Sequence, residues 1–256
     1  MNHDQSSQDH NVVEVLNAGG SAPLVVVCEH ASHYIPAELQ GLGLTSSEQV
    51  SHVAWDPGAM PVAQMISQRL DAPLVASCVS RLVYDCNRPP EAPDAMPSRS
   101  EVIDVPGNAH LTPQDRAART ERYYKPFRDT LHKTLKAKAD AMVVTVHSFT
   151  PVYHGKQRHV EIGILHDTDT RLADAMLDCA GRHTPHVVLR NAPYGPQDGV
   201  THTLKEHALP QNRPNVMLEL RNDLIATPAS QAAMADMLSG WLEEAAEMAE
   251  VGACKS

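Results

Sequence analysis

The chain has 256 residues, and its 21 Lys and Arg against 31 Asp and Glu give a formal net charge of −10. Such acidity argues against a nucleic acid or an anionic membrane surface as the main partner. Hydrophobic residues make up 42% of the chain, yet no apolar run approaches the ~18 residues that a transmembrane helix requires. We therefore expect a soluble globular protein large enough to bury a substantial core.

The first residues are polar and acidic, without the positive region and apolar run of a secretory signal. The cysteines are odd in number and contain no C-x-x-C pair, which argues against a disulfide framework. They are Cys28, Cys78, Cys86, Cys179 and Cys254. We expect a reducing cytoplasm, a polar tail over residues 1–22 and a single domain over residues 23–256.

Short apolar runs rich in β-branched residues alternate with helical patterns along the chain. The predicted strands are residues 24–28, 74–77, 142–147, 160–165, 186–189 and 216–220. The predicted helices are residues 60–70, 114–138, 172–181 and 229–249, two of them preceded by a Thr-Pro start signal. This alternation predicts an α/β domain of three layers, with a mainly parallel or mixed central sheet and helices on both faces.

Residues 87–112 contain five prolines and little periodicity. A loop of this length inside a compact domain is more often functional than idle. We therefore expect it to form a wall or a lid of the ligand site.

Polar side chains follow three of the predicted strands. His30 follows the first strand, His147 ends the strand that begins at residue 142, and Glu219 lies in the last strand. Asp56 comes directly before a predicted helix. Ligands of open α/β sheets bind at the carboxyl ends of the strands, so these residues could meet there.

Two imidazoles and a carboxylate are a donor set typical of catalytic zinc, and a further carboxylate can serve as the base. The spacing by itself is a weak signal. His30 or His147 taken singly is more often a hydrogen-bonded histidine, and Asp56 before Pro-Gly can serve only the turn. For Glu219 that structural interpretation is weaker, because a carboxylate in an apolar strand needs a partner or a function.

A second set of residues could contact substrate. Arg81 and Arg88 follow the second strand and could clamp a carboxylate in bidentate fashion, although internal ion pairs with Asp85, Asp56 or Glu219 are equally compatible with the sequence. The further candidates are Ser148, His202 and Arg221.

Five motifs in this chain resemble the N-formylglutamate amidohydrolase family. They are CEHAS (residues 28–32), WDPG (55–58), SRLVYDCNRP (80–89), VHS (146–148) and LEL (218–220). The third motif is the most specific. The others are short, and they support the resemblance because they occur together in the order found in the family. The residues that flank His30 and Asp56 differ from those of the family member that serves histidine degradation, so the chain resembles a side branch.

The resemblance implies a fold like that of zinc-dependent exopeptidases and amidases. It also implies that His30, Asp56 and His147 hold one zinc or other divalent ion and that Glu219 is the catalytic carboxylate. The implied partner is a small anionic N-acyl amino acid, such as N-formyl-L-glutamate, whose amide bond is hydrolysed. Two alternatives stay open: a metallocarboxypeptidase or peptidoglycan-type amidase, and a catalytically silent binding protein of the same fold.

Overall fold

The structure is a computed structural model that describes the backbone of residues 11–253 and the side chains of residues 11–249. Seven strands form the central sheet and four short ones form two hairpins. They are β1 (Val13–Leu16), β2 (Leu24–Cys28), β3 (Leu74–Ser77), β4 (Arg99–Ser100), β5 (Ile103–Asp104), β6 (Met142–Phe149), β7 (Val152–Tyr153), β8 (Lys156–Gln157), β9 (Ile162–Leu165), β10 (Val188–Arg190) and β11 (Asn215–Arg221).

The sheet has the strand order β1-β3-β2-β6-β11-β9-β10. Its centre, β3-β2-β6-β11, is parallel. Strand β1 pairs antiparallel with β3 at one edge. On the other side β9 pairs antiparallel with β11, and the edge strand β10 pairs parallel with β9. The sheet is therefore mixed, and the carboxyl ends of its four central strands lie at one rim.

Helices cover both faces, which confirms the predicted three layers. They are α1 (Ser46–Gln49), α2 (Ala59–Arg69), α3 (Pro113–Arg119), α4 (Lys125–Lys136), α5 (Arg171–His183), α6 (His202–His207) and α7 (Pro228–Ala253). Helices α2, α5 and α7 pack on the face that includes Val26, whereas α4 and α6 pack on the face that includes Val25 and Val27. All five residues of β2 are buried, as expected for a strand covered on both sides.

Two element boundaries differ from those expected from the sequence. Val13–Leu16 fall within the predicted polar tail, but they form an edge strand paired with Leu74–Ser77, in which Val13 and Val15 pack against one core cluster and Leu16 against the other. The helix expected over residues 114–138 contains a π-helical turn at Thr120–Tyr124. This turn ends two residues before Pro126, which has no N–H for a helical hydrogen bond.

Residues 1–10, the first part of the predicted tail, and Cys254 lie outside the described residues. The four described cysteines are free thiols. Within residues 11–253, none of the helices combines the length and the apolar character needed to cross a membrane.

Candidate active site

The candidate site lies at the carboxyl rim of the sheet. His30 follows β2, His147 lies near the end of β6, and Glu219 on β11 is paired in register with His147. Asp56 reaches the same place from the turn before α2. In that turn Gly58 has a φ of 83°, and a Cβ there would lie 2.6 Å from the carbonyl oxygen of Ile225, so the close approach requires glycine.

Three side chains converge on one point. Nδ1 of His147 lies 2.8 Å from Oδ2 of Asp56, Nδ1 of His30 lies 3.1 Å from the same oxygen, and the two nitrogens are 3.2 Å apart. Ligands bound at ~2.0–2.1 Å to a tetrahedral zinc ion lie ~3.3 Å from one another. Because the donor set and the spacing both match, these residues fit a divalent metal ion.

Two buried carboxylates contact the far side of the imidazoles. Nε2 of His30 donates to Oδ1 of Asp85 at 2.7 Å. Nε2 of His147 lies 3.1 Å from Oε2 of Glu29, an ion-pair distance without hydrogen-bond alignment. Carboxylates in this position orient a metal-ligating histidine and raise its basicity.

Arg81 joins the acidic residues of the cluster. Its guanidinium lies 3.4 Å from Oδ1 of Asp56 and 2.9 Å from Oδ2 of Asp85. Its positive charge offsets part of the repulsion between the two buried carboxylates.

The imidazoles and carboxylates of the cluster shift one another's pKa values. Burial lowers the pKa of His147, but Glu29 and Asp56 outweigh it and leave the pKa well above the usual range. The pKa of Asp85 lies well below its usual range, because the charges of His30 and Arg81 outweigh burial. A metal ion entering here would therefore displace protons, as metal binding to imidazole generally does.

Glu219 differs from the other carboxylates of the site. It is only 5% exposed, and its Oε2 atom is buried without a hydrogen-bond partner. Burial raises its pKa to about 7, with a further rise from Asp56 and opposing effects from His147 and His30. A buried carboxylate with a pKa near neutrality is suited to accept and return a proton.

The metal-free Glu219→Gln variant is expected to be more stable than the wild type above neutral pH, by about 3 kcal/mol. Between the usual pKa of 4.5 and the folded pKa of about 7, the folded wild type binds more protons than the unfolded chain. The contribution of Glu219 to the free energy of unfolding of the wild type therefore falls as pH rises through that window. The glutamine variant lacks this pH dependence because glutamine does not titrate. Denaturant unfolding at pH 5 and pH 8 measures it. If the free energy of unfolding differed between the variant and the wild type by the same amount at pH 5 and at pH 8, a raised pKa of Glu219 would be contradicted.

A cavity of about 770 Å³ opens over these residues. One wall comes from the loop after Asn87, including Arg99–Ser100 of the β4–β5 hairpin, and the opposite wall comes from the β7–β8 hairpin and Tyr194. The predicted role of residues 87–112 as a wall is therefore confirmed.

Some of the predicted substrate-binding residues reach this cavity and others do not. Arg81, Arg88 and Ser148 line it. Arg88 is already bound to Asp94 at 2.7 Å and to two backbone carbonyls, and the hydroxyl of Ser148 donates to the carbonyl of Pro57 at 2.8 Å.

Arg221 and His202 are not among the lining residues. The guanidinium of Arg221 is held by Asp223 and Glu161, and Nε2 of His202 lies 2.7 Å from the hydroxyl of Tyr124. Both side chains have protein partners and neither lines the cavity, so their role in substrate contact stays a prediction.

The sequence reasoning missed four residues of the site. Glu29 and Asp85 were visible in the motifs around His30 and Arg81, but nothing in the spacing links them to the imidazoles. Arg158 and Tyr194 line the cavity from the β7–β8 hairpin and a distant loop. No local pattern marks these two residues.

A family model described as N-formylglutamate amidohydrolase matches residues 22–226. The crystal structure of a gene product from Agrobacterium tumefaciens is 51% identical, with a TM-score of 0.92, covering 94% of this chain and 97% of that one. The crystal structure of an N-formylglutamate amidohydrolase from Ralstonia eutropha is 18% identical, with a TM-score of 0.61, covering 92% and 98%. At that identity the second match shows the fold alone. No curated protein sequence matches the chain.

The fold, the cluster at the strand ends and the family match define a hydrolase that acts on amide bonds. The chain belongs to the N-formylglutamate amidohydrolase family, whose model covers most of its length.

Proposed function

We propose that this protein is a metal-dependent amidohydrolase that cleaves an N-formyl amino acid with a free carboxylate, such as N-formyl-L-glutamate. Water and the substrate yield formate and the free amino acid. The observation that carries the proposal is the convergence of His30, Asp56 and His147 beside an unpartnered buried carboxylate, Glu219.

His30, Asp56 and His147 would hold the metal ion, and zinc suits two imidazoles and one carboxylate best. When bound, a zinc ion lowers the pKa of water and polarises a carbonyl oxygen. Asp85 and Glu29 keep the two imidazoles turned toward the ion, and Arg81 holds Asp56 and Asp85 in place.

Glu219 moves the proton in this proposal. Its carboxylate accepts a proton from the attacking water as the water oxygen adds to the formyl carbon. It then delivers that proton to the nitrogen of the leaving amine as the C–N bond breaks. Burial raises the pKa of the Glu219 carboxyl to about 7 in the metal-free protein, and a group with a pKa near neutrality can both accept and return a proton.

A contact between two hairpins lies at the cavity. Glu101, in the turn of the β4–β5 hairpin, accepts a hydrogen bond from Nε2 of His52 at 2.6 Å and one from the backbone N–H of His154. His154 lies in the turn of the β7–β8 hairpin, so Glu101 joins the two walls. Glu101 and His52 both line the cavity, whose volume of about 770 Å³ accommodates a substrate of amino-acid size.

The test is turnover by the zinc-loaded protein, with formate and free amine measured separately. N-formyl amino acids, N-acetyl amino acids and short peptides are compared at equal concentration. We expect formate and glutamate in equal amounts from N-formyl-L-glutamate. Turnover of peptides alone would favour a carboxypeptidase or amidase. Binding without turnover of any compound would favour a silent binding protein.

We also place the enzyme in the reducing cytoplasm. The support is that all four cysteines within residues 11–253 are free thiols, three of them buried. Free thiols are the usual state of cysteine in that compartment.

A further inference from the structure

The arginines that line the cavity differ in how much of their charge is already used. Arg81 is bound by Asp56 and Asp85, Arg88 by Asp94, and Arg99 by Asp104 at 2.9 Å. Each of these cations has an internal counter-charge, so none presents its full charge to a ligand.

Arg158 is the exception among the lining arginines. Within the described residues its side chain makes two hydrogen bonds, one to the hydroxyl of Tyr194 at 2.8 Å and one to the carbonyl of Thr150 at 3.4 Å. Neither partner is charged, and a guanidinium carries five N–H donors. Most of its donors and its whole charge therefore stay available on the cavity wall.

Three aromatic rings fix the position of this guanidinium. It lies 4.4 Å from the ring centroid of Tyr153, 4.9 Å from that of Tyr194 and 5.5 Å from that of Phe149. Such cation–π contacts hold the side chain in one place without neutralising it. An arginine ordered in this way loses little entropy when it binds a carboxylate in bidentate fashion.

The aromatic contacts also place Arg158 close to the reacting centre. Phe149 lies two residues beyond His147 on β6, and β6 pairs with the strand that carries Glu219. Tyr194 contacts Arg158 and lines the same cavity as Glu219. In an N-formyl amino acid the α-carboxylate lies only two bonds from the nitrogen of the scissile amide. The anion that must be held beside the reacting centre is therefore the α-carboxylate.

We infer that Arg158 binds the α-carboxylate of the substrate and makes the enzyme selective for N-acyl amino acids with a free carboxylate. This inference rests on the proposed function. It replaces Arg81 and Arg88 as the carboxylate clamp, because their charges are used inside the protein.

Lys156 offers a matched control. It lines the cavity from the same hairpin and makes no ion pair within residues 11–249, but its side chain is exposed to water. Lys156→Gln and Arg158→Gln therefore remove the same charge from the same wall. Only the second variant removes a cation held in an aromatic cage.

The test compares N-formyl-L-glutamate with its α-amide, in which only the α-carboxylate is neutralised. We expect Arg158→Gln to lower kcat/KM for the acid by about 10- to 100-fold, mainly through KM, and to change the value for the α-amide less than about threefold. Arg158→Lys should recover part of the loss, since it restores the charge without the fork. Lys156→Gln should leave both substrates near the wild-type values.

Equal losses for the acid and the α-amide, or an equal effect of Lys156→Gln, would overturn the inference. Calorimetric titration with L-glutamate and L-isoglutamine separates it from the proposed function. If the wild type hydrolyses neither N-formyl compound, the proposed activity is rejected. The carboxylate site would still be supported if the wild type binds L-glutamate and Arg158→Gln does not. Binding that is unchanged in Arg158→Gln, or absent from the wild type, rejects the site.

Discussion

Replacing Glu219 with glutamine is expected to lower kcat by about 10²–10⁴-fold while the metal content stays at the wild-type level. Glutamine has nearly the same shape as glutamate but cannot accept the proton of the attacking water. The metal content should not change, because the three converging ligand atoms belong to His30, Asp56 and His147. Single-turnover kinetics and elemental analysis on the same preparation measure both quantities.

Glu161→Gln is the control for this variant. Glu161 pairs with Arg221 and is absent from the residues that line the cavity, so its replacement should leave kcat within about threefold of the wild type. Full activity in Glu219→Gln would reject Glu219 as the proton carrier. Loss of metal together with activity would instead assign it to metal binding.

The second large effect is expected for His147→Ala, which should lose one equivalent of zinc per chain and all measurable turnover. Removing a carboxylate that only orients a ligand typically costs ~10- to 100-fold in metal affinity, so removing a ligand itself should cost more. Elemental analysis after zinc loading and dialysis measures the loss. His147→Gln serves as a second variant, because it keeps a polar partner for the buried carboxylate of Glu29.

His202→Ala is the matched control, since His202 is a half-buried histidine outside the cavity and should keep the metal. A second group with metal-ligating atoms, Cys179, His183 and Glu244, lies on α5 and α7. An ion bound there would stay bound in His147→Ala. The expected result is therefore that the variant holds one equivalent of zinc per chain fewer than the wild type. Equal zinc in wild type and both His147 variants would reject the proposed metal site.

Much of the fold follows from local patterns in the sequence. The continuous apolar runs at residues 24–28 and 142–147 are strands whose two faces are both covered. Apolar residues at helical spacing predict the helices between the strands. The mixed edge of the sheet was less predictable. Strand direction at β9 depends on how the chain returns after the β7–β8 hairpin, and periodicity carries no information about direction.

The sequence also placed His30, His147 and Glu219 at one rim of the sheet, because the carboxyl ends of parallel strands meet at one edge. It could not separate Arg81 and Arg88 from Arg158. Whether an arginine in the cavity has an internal counter-charge depends on its neighbours, and those of Arg158 come from β6, the β7–β8 hairpin and the loop at Tyr194.

The layered α/β fold and the strand ends where the chemistry lies can thus be predicted from the sequence, since both depend on short-range periodicity and on topology. The folded structure was needed to identify the carboxylates that orient the imidazoles, the residues that line the cavity and the arginine without an internal counter-charge. These properties are set by contacts between segments far apart in the chain, such as Arg158 with Tyr194 and His30 with Asp85. Contact energies of that kind depend on distance and burial in the folded protein, and neither is encoded in the spacing of residues along the chain.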